Sequence, residues 1–297
     1  MALFLQLRTL TTEELIKRSA RKDFQAAIEQ EYQTLTALKD INTYYHFHLP
    51  ENQDKNRYQD VPCADSSRVL LDKDETSYIH ANYVFDFNHN EERMGFIATQ
   101  APLRTTVEDF WRMVWSENTK MIVMLMKLED PKYFPYWSPD IGNHITIGKF
   151  KISTIVSYKA SYYVHTVLLI INQEITELRL IHHYCYQEWP NYSVPTNFEC
   201  FLNFLNVISE KRKLLCPKTT SCDPIIVHCS AGVGRTGTFC AIMNAIKSIE
   251  QTGTVNLFEI VKKVRINRPL SVVVQNQYLF CYQILVHYVT SMPQFNI

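Results

Sequence analysis

Residues 225–239 read IIVHCSAGVGRTGTF. The chain has only seven glycines, and three of them, Gly232, Gly234 and Gly237, fall inside one run of six residues here. Ahead of them, PIIVH (224–228) is an apolar run that reads as a buried strand. Behind them, RTGTFCAIMNAIKSIEQTG (235–253) repeats apolar residues at helical spacing, Phe239, Ile242, Met243, Ile246 and Ile249, with Gly253 placed as a C-cap. Residues 229–235 are therefore predicted to be a tight loop from the end of a strand to the start of a helix. Glycine reaches backbone angles closed to other residues and leaves neighbouring amides uncovered. A loop of inward amides at a helix N-terminus is an anion site, reinforced by the helix dipole. On this reading the three glycines shape a phosphate cradle.

The residues around the loop supply its chemistry. Cys229 lies at the bottom, where inward amides and the dipole favour a thiolate; such settings lower a cysteine pKa from about 8.5 into roughly the 3.5–7.5 range. The backbone of Ser230, Ala231, Gly232, Val233 and Gly234 forms the cradle. Arg235 has the planar fork that holds two phosphate oxygens at once. A nucleophile aimed at a cradled phosphate means phosphoryl transfer through a cysteinyl-phosphate. A cysteine with an arginine six residues on is a weak pattern alone, and the strand–loop–helix context with its glycines makes it specific. An ATP-binding loop is excluded because no Lys-Ser/Thr pair opens the helix.

Outward from the loop, the chain reads as one α/β domain. Thr11 and Glu14 form a capping-box pair, and Phe24, Ile28, Tyr32 and Leu35 repeat at helical spacing. LPENQDKNRYQDVP (49–62) reads as a loop, VEDFWRMVWSEN (107–118) as a helix and KMIVMLMKL (120–128) as a short buried strand. From 144 to 186 the β-branched and aromatic runs HITIGKFKISTIVSY, YYVHTVLLIIN and ELRLIHHYCYQ predict successive antiparallel strands. Helical period returns at Phe198, Phe201, Leu202, Leu205 and Ile208, and again over 275–289.

Thirty basic and thirty acidic side chains cancel, so no global field draws the chain to nucleic acid or an anionic membrane. The eight cysteines show no CxxC pair, which reads as reduced, intracellular thiols. Arg8 interrupts the apolar start and no run approaches a bilayer span, so the expectation is a soluble, cytoplasmic protein without signal peptide or membrane insertion.

VHCSAGVGRTGTF resembles the signature of the phosphotyrosine-specific, cysteine-dependent protein tyrosine phosphatases, and DSSRVLL, SYIHANYV, FIATQAPL and VEDFWRMVW match further motifs in family order. The match runs from about residue 30 to 290, with the N-terminal helices at 10–40. It implies a single phosphatase domain, a twisted mixed β-sheet flanked by helices, with the cysteine loop at one edge of a deep pocket. In KNRYQDV (55–61), Tyr58 is implied to stack on the phosphotyrosine ring and Asp60 to hold the substrate backbone. In KYFPYW, Lys132 is implied to approach the active site, and Glu129 to orient Arg235. Thr236 and Gln277 join the implied catalytic set, and Tyr192 the substrate-binding set. No cofactor and no metal is implied, and the partners are phosphotyrosine-containing proteins met by a monomer. Free-standing phosphatases of parasitoid-wasp viruses (bracoviruses) are similar in their eroded loops, which for a viral protein implies the host cytoplasm.

Two departures bear on function. Where the family carries Trp-Pro-Asp, with the aspartic acid protonating the leaving tyrosine oxygen, the chain reads Trp189-Pro190-Asn191. An amide has no proton to give, and general acid catalysis contributes about 10²- to 10⁴-fold. Glu188 is the alternative acid. The water-positioning glutamine is expected at 273, which is valine, with Gln275 as a substitute after a two-residue slip. Leu270 stands where open-pocket members have glycine and narrows the mouth. The sequence thus leaves two readings, a slow phosphatase and a phosphotyrosine-binding substrate trap; a dual-specificity phosphatase conflicts with Tyr58. The histidine runs at 46–48 and 182–183 lack acidic or cysteine partners at ligand spacing. SEKRK (209–213) and KKVRINR (262–268) read as solvated helix faces, with Arg265 a candidate to frame the pocket.

Overall fold

The computed structural model describes residues 9–71, 77–87, 92–127, 134–190, 193–216 and 223–291. The N-terminal segment folds as β1 (Leu10–Thr11), α1 (Thr12–Ser19), α2 (Phe24–Thr36) and α3 (Tyr45–His48). β2 (Ala81–Phe87), β3 (Glu92–Thr99), α4 (Val107–Ser116) and β4 (Met121–Met124) follow. Then come β5 (His144–Ile147), β6 (Phe150–Lys159), β7 (Tyr163–Asn172) and β8 (Glu177–Tyr186). The C-terminal part is α5 (Phe198–Leu215), β9 (Ile225–His228), α6 (Gly234–Thr252), β10 (Thr254–Val255), α7 (Leu257–Asn267) and α8 (Gln275–Ser291). The stretch 49–62, expected to be loop throughout, contains a 3-10 helix at Pro50–Lys55, which Pro50 opens at its first position.

Eight strands form one mixed sheet in the order β2–β3–β9–β4–β8–β7–β6–β5. β9 pairs in parallel with β3 and β4, and β4 in parallel with β8. Because β9 is flanked on both edges and covered on both faces, it is an unbroken apolar run rather than an alternating one. Its side chains still alternate in destination. Ile225 and Val227 join the core shared with α5–α8, whereas Ile226 joins the core under α4 with Phe110, Trp111 and Trp137. The cysteine loop therefore starts at the carboxyl end of a parallel strand at the middle of the sheet, where open α/β sheets hold their ligands. α6 follows, buried through most of its length, and ends at Gly253 in the left-handed conformation (φ 68°).

The capping box of α1 forms as expected: Thr11 Oγ1 accepts from the Glu14 amide at 3.2 Å, and Glu14 accepts from the Thr11 amide at 3.0 Å. On α2, Ile28, Tyr32 and Leu35 are buried. Between them sits a buried carboxylate, Glu31, which accepts from Arg18 at 2.7 Å, from the Tyr282 hydroxyl at 2.5 Å and from the Tyr278 hydroxyl. This network ties α1 and α2 to α8. Removing one member leaves the others buried and unpaired. Glu31→Ala is expected to lower the free energy of unfolding in urea by about 3–5 kcal/mol; a loss below about 1 kcal/mol would show that the network does not hold the helices.

Candidate active site

The strand–loop–helix unit predicted around Cys229 is present. Cys229 is buried at 3% exposure directly after β9. The Gly232 amide donates to Cys229 Sγ at 3.3 Å. α6 starts with no side-chain cap at Val233, so its first-turn amides have no intrahelical acceptor and face the site. The Thr236 hydroxyl is fully buried, makes no complete hydrogen bond elsewhere and acts on the sulfur. Burial pushes the Cys229 thiol up. The Arg235 guanidinium, the Thr236 hydroxyl and the amides of Thr236 and Gly232 outweigh it and leave the pKa below its ordinary value. Arg235 is itself buried and donates to the Trp189 carbonyl at 3.2 Å, which joins the cradle to the segment that precedes Asn191.

What turns the loop amides inward is the last residue of KKVRINR (262–268), a run expected to be a solvated helix face. Arg268 is fully buried, and its guanidinium donates to the carbonyls of Gly232 and Ala231, both at 3.0 Å. In a planar trans peptide the carbonyl and the following amide point in opposite directions. Binding those two carbonyls outside the loop therefore sends the amides of Gly232 and Val233 inward. Arg268 also donates to Asn82 Oδ1 at 2.8 Å and to His80 Nδ1 at 3.0 Å. His80 donates through Nε2 to the Val61 carbonyl at 2.8 Å. Burial, with the Arg268 charge, pushes the His80 pKa down to about 3, so the ring stays neutral and its Nδ1 lone pair stays free to accept. Among the described residues no carboxylate pairs with Arg268, and its charge lies near the Cys229 sulfur.

A second support is the segment after β3. A Cβ at position 232 would meet the Thr99 carbonyl oxygen at 2.1 Å, and Gly232 has φ 71°, so no other residue fits there. The Ala101 amide donates to the Ser230 carbonyl at 3.0 Å. Gln100 accepts from the Arg57 amide at 2.9 Å and donates to the Lys55 carbonyl at 2.7 Å, which fixes the 55–61 segment beside the loop. Tyr58 thereby reaches the cradle: its hydroxyl lies 2.9 Å from Ser230 Oγ. Asp60 is exposed on the adjoining turn. Behind the cysteine, the Tyr136 hydroxyl lies 2.7 Å from both His183 Nε2 and His228 Nε2, and His228 Nδ1 faces the Cys229 carbonyl at 3.3 Å. Burial holds His228 at about 4, so it is neutral; it donates to the carbonyl and accepts from Tyr136.

The glycines divide their work differently from the expectation of a cradle shaped by all three. Only Gly232 carries the left-handed turn. Gly237 lies within α6, and a Cβ there would lie 2.5 Å from Ser271 Cβ, so its absence lets the 268–274 loop close on the helix. Gly234 makes room for Gln277, whose Nε2 would be 3.1 Å from a Cβ at 234. Gln277 is buried at 3%, and its Oε1 has no hydrogen-bond partner. The structure thus brings Gln277 next to Gly234, while Gln275 stands at the first position of α8. Val273 is exposed at 42%. Leu270 is exposed too, with φ 62°, the conformation that glycine adopts without strain.

Asn191, Tyr192, Glu129 and Lys132 lie outside the described residues. Trp189 is buried against Phe201 and Phe280, and its Nε1 donates to the Ser193 carbonyl at 2.9 Å, while Glu188 beside it is exposed. His46 faces Asp65 at 2.9 Å and Arg68 at 3.1 Å, and His182 faces His165 at 3.1 Å. Arg265 is not on a solvated face; it donates to the carbonyls of Ser271 and Val272. Among the described residues no helix is long and apolar enough to cross a membrane.

The site thus combines a buried thiol, a helix start without a side-chain cap and a buried arginine whose charge lowers the thiol pKa. Residues 52–287 match the family model described as protein-tyrosine phosphatase, and the chain belongs to that family. Tyrosine phosphatase H2 of Microplitis demolitor bracovirus is 33% identical over 301 residues, covering 96% of this chain and 90% of that protein. Tyrosine phosphatase H3 of the same virus is 34% identical over 296 residues, covering 91% of each. Human tyrosine-protein phosphatase non-receptor type 9 is 32% identical over 297 residues, 94% of this chain. The chain spans about half the length of that human relative and about nine-tenths of the bracovirus proteins.

The cradle electrostatics set a measurable pH dependence. A depressed thiol pKa keeps the reactive thiolate populated to lower pH than in an unfolded chain. The rate of Cys229 alkylation by iodoacetamide, followed against pH, is expected to inflect clearly below 8.5, the value near which a free cysteine titrates. An inflection at or above 8.5 would contradict the cradle's action on the sulfur.

Proposed function

We propose that the chain is a protein tyrosine phosphatase that acts on phosphotyrosyl proteins through Cys229, and that it turns over slowly. The observation that carries this reading is the Cys229 thiol, lowered in pKa beneath the Gly232 amide and beside Arg235. In the first step the thiolate attacks phosphorus, the phosphorus–oxygen bond to the tyrosine breaks, and the phenolate leaves. In the second, water cleaves the sulfur–phosphorus bond and inorganic phosphate is released. Arg235 and the amides of residues 230–236 bind the equatorial oxygens; the Thr236 hydroxyl stabilises the returning thiolate. Residues 30–290 form the catalytic domain, with the N-terminal helices as part of it.

The rate is limited by what the chain lacks. Asn191, at the acid position, has no proton for the leaving oxygen, so the phenolate takes one from water. Val273 offers no side-chain amide to place the attacking water, which leaves Gln277 as the glutamine beside Gly234. These two residues favour a second reading, a trap that binds phosphotyrosyl proteins and releases them without hydrolysis. Similarity to bracovirus phosphatases supports a role in host cells, in the cytoplasm, on host tyrosine-phosphorylation signalling.

The pocket depth is tested by binding. With Cys229→Ser to block chemistry, a peptide carrying phosphotyrosine is expected to bind at least tenfold more tightly than the same peptide carrying phosphoserine. Tyr58→Ala in that background should weaken only the former, by a stacking contribution of about 0.5–1.5 kcal/mol. Equal affinities for the two peptides would overturn the assignment of Tyr58.

Turnover separates the two readings. Asn191→Asp is expected to raise kcat on a phosphotyrosyl peptide by about 10²-fold or more. The gain should shrink for aryl phosphates with acidic phenols, which need less protonation as they leave. Brisk wild-type turnover that Asn191→Asp leaves unchanged would place the acid elsewhere, with Glu188 the first candidate. Tight binding without turnover in either protein would favour the trap.

A further inference from the structure

The loop between α7 and α8 carries two non-glycine residues in the left-handed region, Leu270 at φ 62° and Val272 at φ 57°. For a buried, β-branched residue such as Val272 this conformation is a genuine outlier, and it persists only where the surroundings over-determine it. The surroundings are specific here. On the outer side, Arg265 Nε donates to the Ser271 carbonyl at 2.8 Å and Arg265 Nη2 to the Val272 carbonyl at 2.9 Å. The Tyr32 hydroxyl donates to the Val273 carbonyl at 2.5 Å and lies 3.1 Å from that of Val272. The Arg265 guanidinium also sits over the Tyr32 ring, 5.3 Å from its centroid. On the inner side, the Val272 amide donates to the Val233 carbonyl at 3.2 Å, and Val233 is the residue from which α6 starts.

Carbonyls are thus drawn one way and the amide is pressed the other, onto the residue that opens the cradle's helix. We propose that Tyr32 is a positioning residue of the active site: with Arg265 it holds the strained 271–273 loop against Val233, and so sets the first-turn amides of α6 that receive the substrate phosphate. The inference rests on the phosphate-cradle reading above. Tyr32 lies on α2, ahead of the residues that match the family model, so the N-terminal helices act on the site instead of only capping the fold. The neighbouring Glu31 is held separately, by Arg18 and by Tyr282 of α8, and does not touch the loop. Burial pushes the Tyr32 pKa up, which keeps the phenol protonated and able to donate.

The test needs no turnover. Alkylation of Cys229 by the neutral reagent iodoacetamide is measured against inorganic phosphate concentration, well below every variant's melting temperature. Protection then yields a phosphate dissociation constant. Tyr32→Phe, which keeps the ring and loses only the hydroxyl, is expected to weaken phosphate about three- to tenfold, the range of one or two lost hydrogen bonds. Arg265→Lys keeps the charge but loses the fork, and it should weaken phosphate similarly; it carries the comparison alone if Tyr32→Phe does not fold. Tyr282→Phe removes a hydroxyl from the Glu31 network without touching the loop. It should lower the melting temperature and leave the phosphate constant within twofold. An unchanged constant in Tyr32→Phe, or in Arg265→Lys where that variant stands in for it, would overturn the proposal. So would a loss in Tyr282→Phe equal to that of the loop variants, because the effect would then be global. Failure of phosphate to protect the wild-type thiol would overturn the cradle reading and this inference with it.

Discussion

The hold of Arg268 on the carbonyls of Ala231 and Gly232 is the constraint from which the site follows. A loop left to itself has no reason to direct successive amides at one point, because those dipoles repel. A buried guanidinium that takes the carbonyls makes the inward arrangement the favourable one. The same cation, with no carboxylate partner among the described residues, adds positive potential beneath the sulfur. Arg268 in turn depends on His80, just before β2, remaining neutral and on Asn82, within β2, presenting its oxygen. The sheet edge, the cysteine loop and the α7–α8 loop are therefore one electrostatic unit.

That unit accepts strain. Val272 and Leu270 occupy backbone conformations that cost about 1–3 kcal/mol each for such residues. Clamping by Arg265 and Tyr32 on one side and contact with Val233 on the other hold the loop in place. The expense is concentrated where α6 begins, which is where an anion would bind. In contrast, the thiol is stabilised by groups that come with the fold: the uncapped helix start, Thr236 and Arg235. Binding and nucleophilic attack thus rest on the scaffold. On the proposed reading, proton delivery and water placement would rest on single side chains, at 191 and 273, where the chain has asparagine and valine.

The parts legible in the sequence were those written in local periodicity. The apolar run 224–228, the glycine-rich loop and the helical spacing after it foretold β9, the loop that follows it and α6. The β-branched runs foretold β5–β8, and Thr11 with Glu14 foretold the cap of α1. Arg268 was not legible because its contacts lie 36 and 37 residues away in the chain, and nothing local distinguishes a buried arginine from a solvated one. Its neighbours Asn267 and Pro269, which end a helix, were the available signal. Tyr32 read only as a core residue of α2, since the acceptors of its hydroxyl lie some 240 residues on. The left-handed Leu270 and Val272 run against their own propensities, so no propensity argument reaches them. Gly237 was assigned to the cradle because it is close in sequence, whereas its missing side chain serves packing against Ser271.

The central claim is that Cys229 is a nucleophile toward phosphate held in this cradle. Its most direct test is acid-quenched mass spectrometry of the protein mixed with a nitrophenyl phosphate, whose leaving group departs without a proton. On the proposed reading the first step then proceeds despite Asn191, and the second is slow for want of a glutamine at 273. We expect a phosphoryl group on the peptide that contains Cys229, and none on that peptide in Cys229→Ser. Release of nitrophenol with Cys229 unmodified at every quench time, and at an equal rate in Cys229→Ser, would contradict the account.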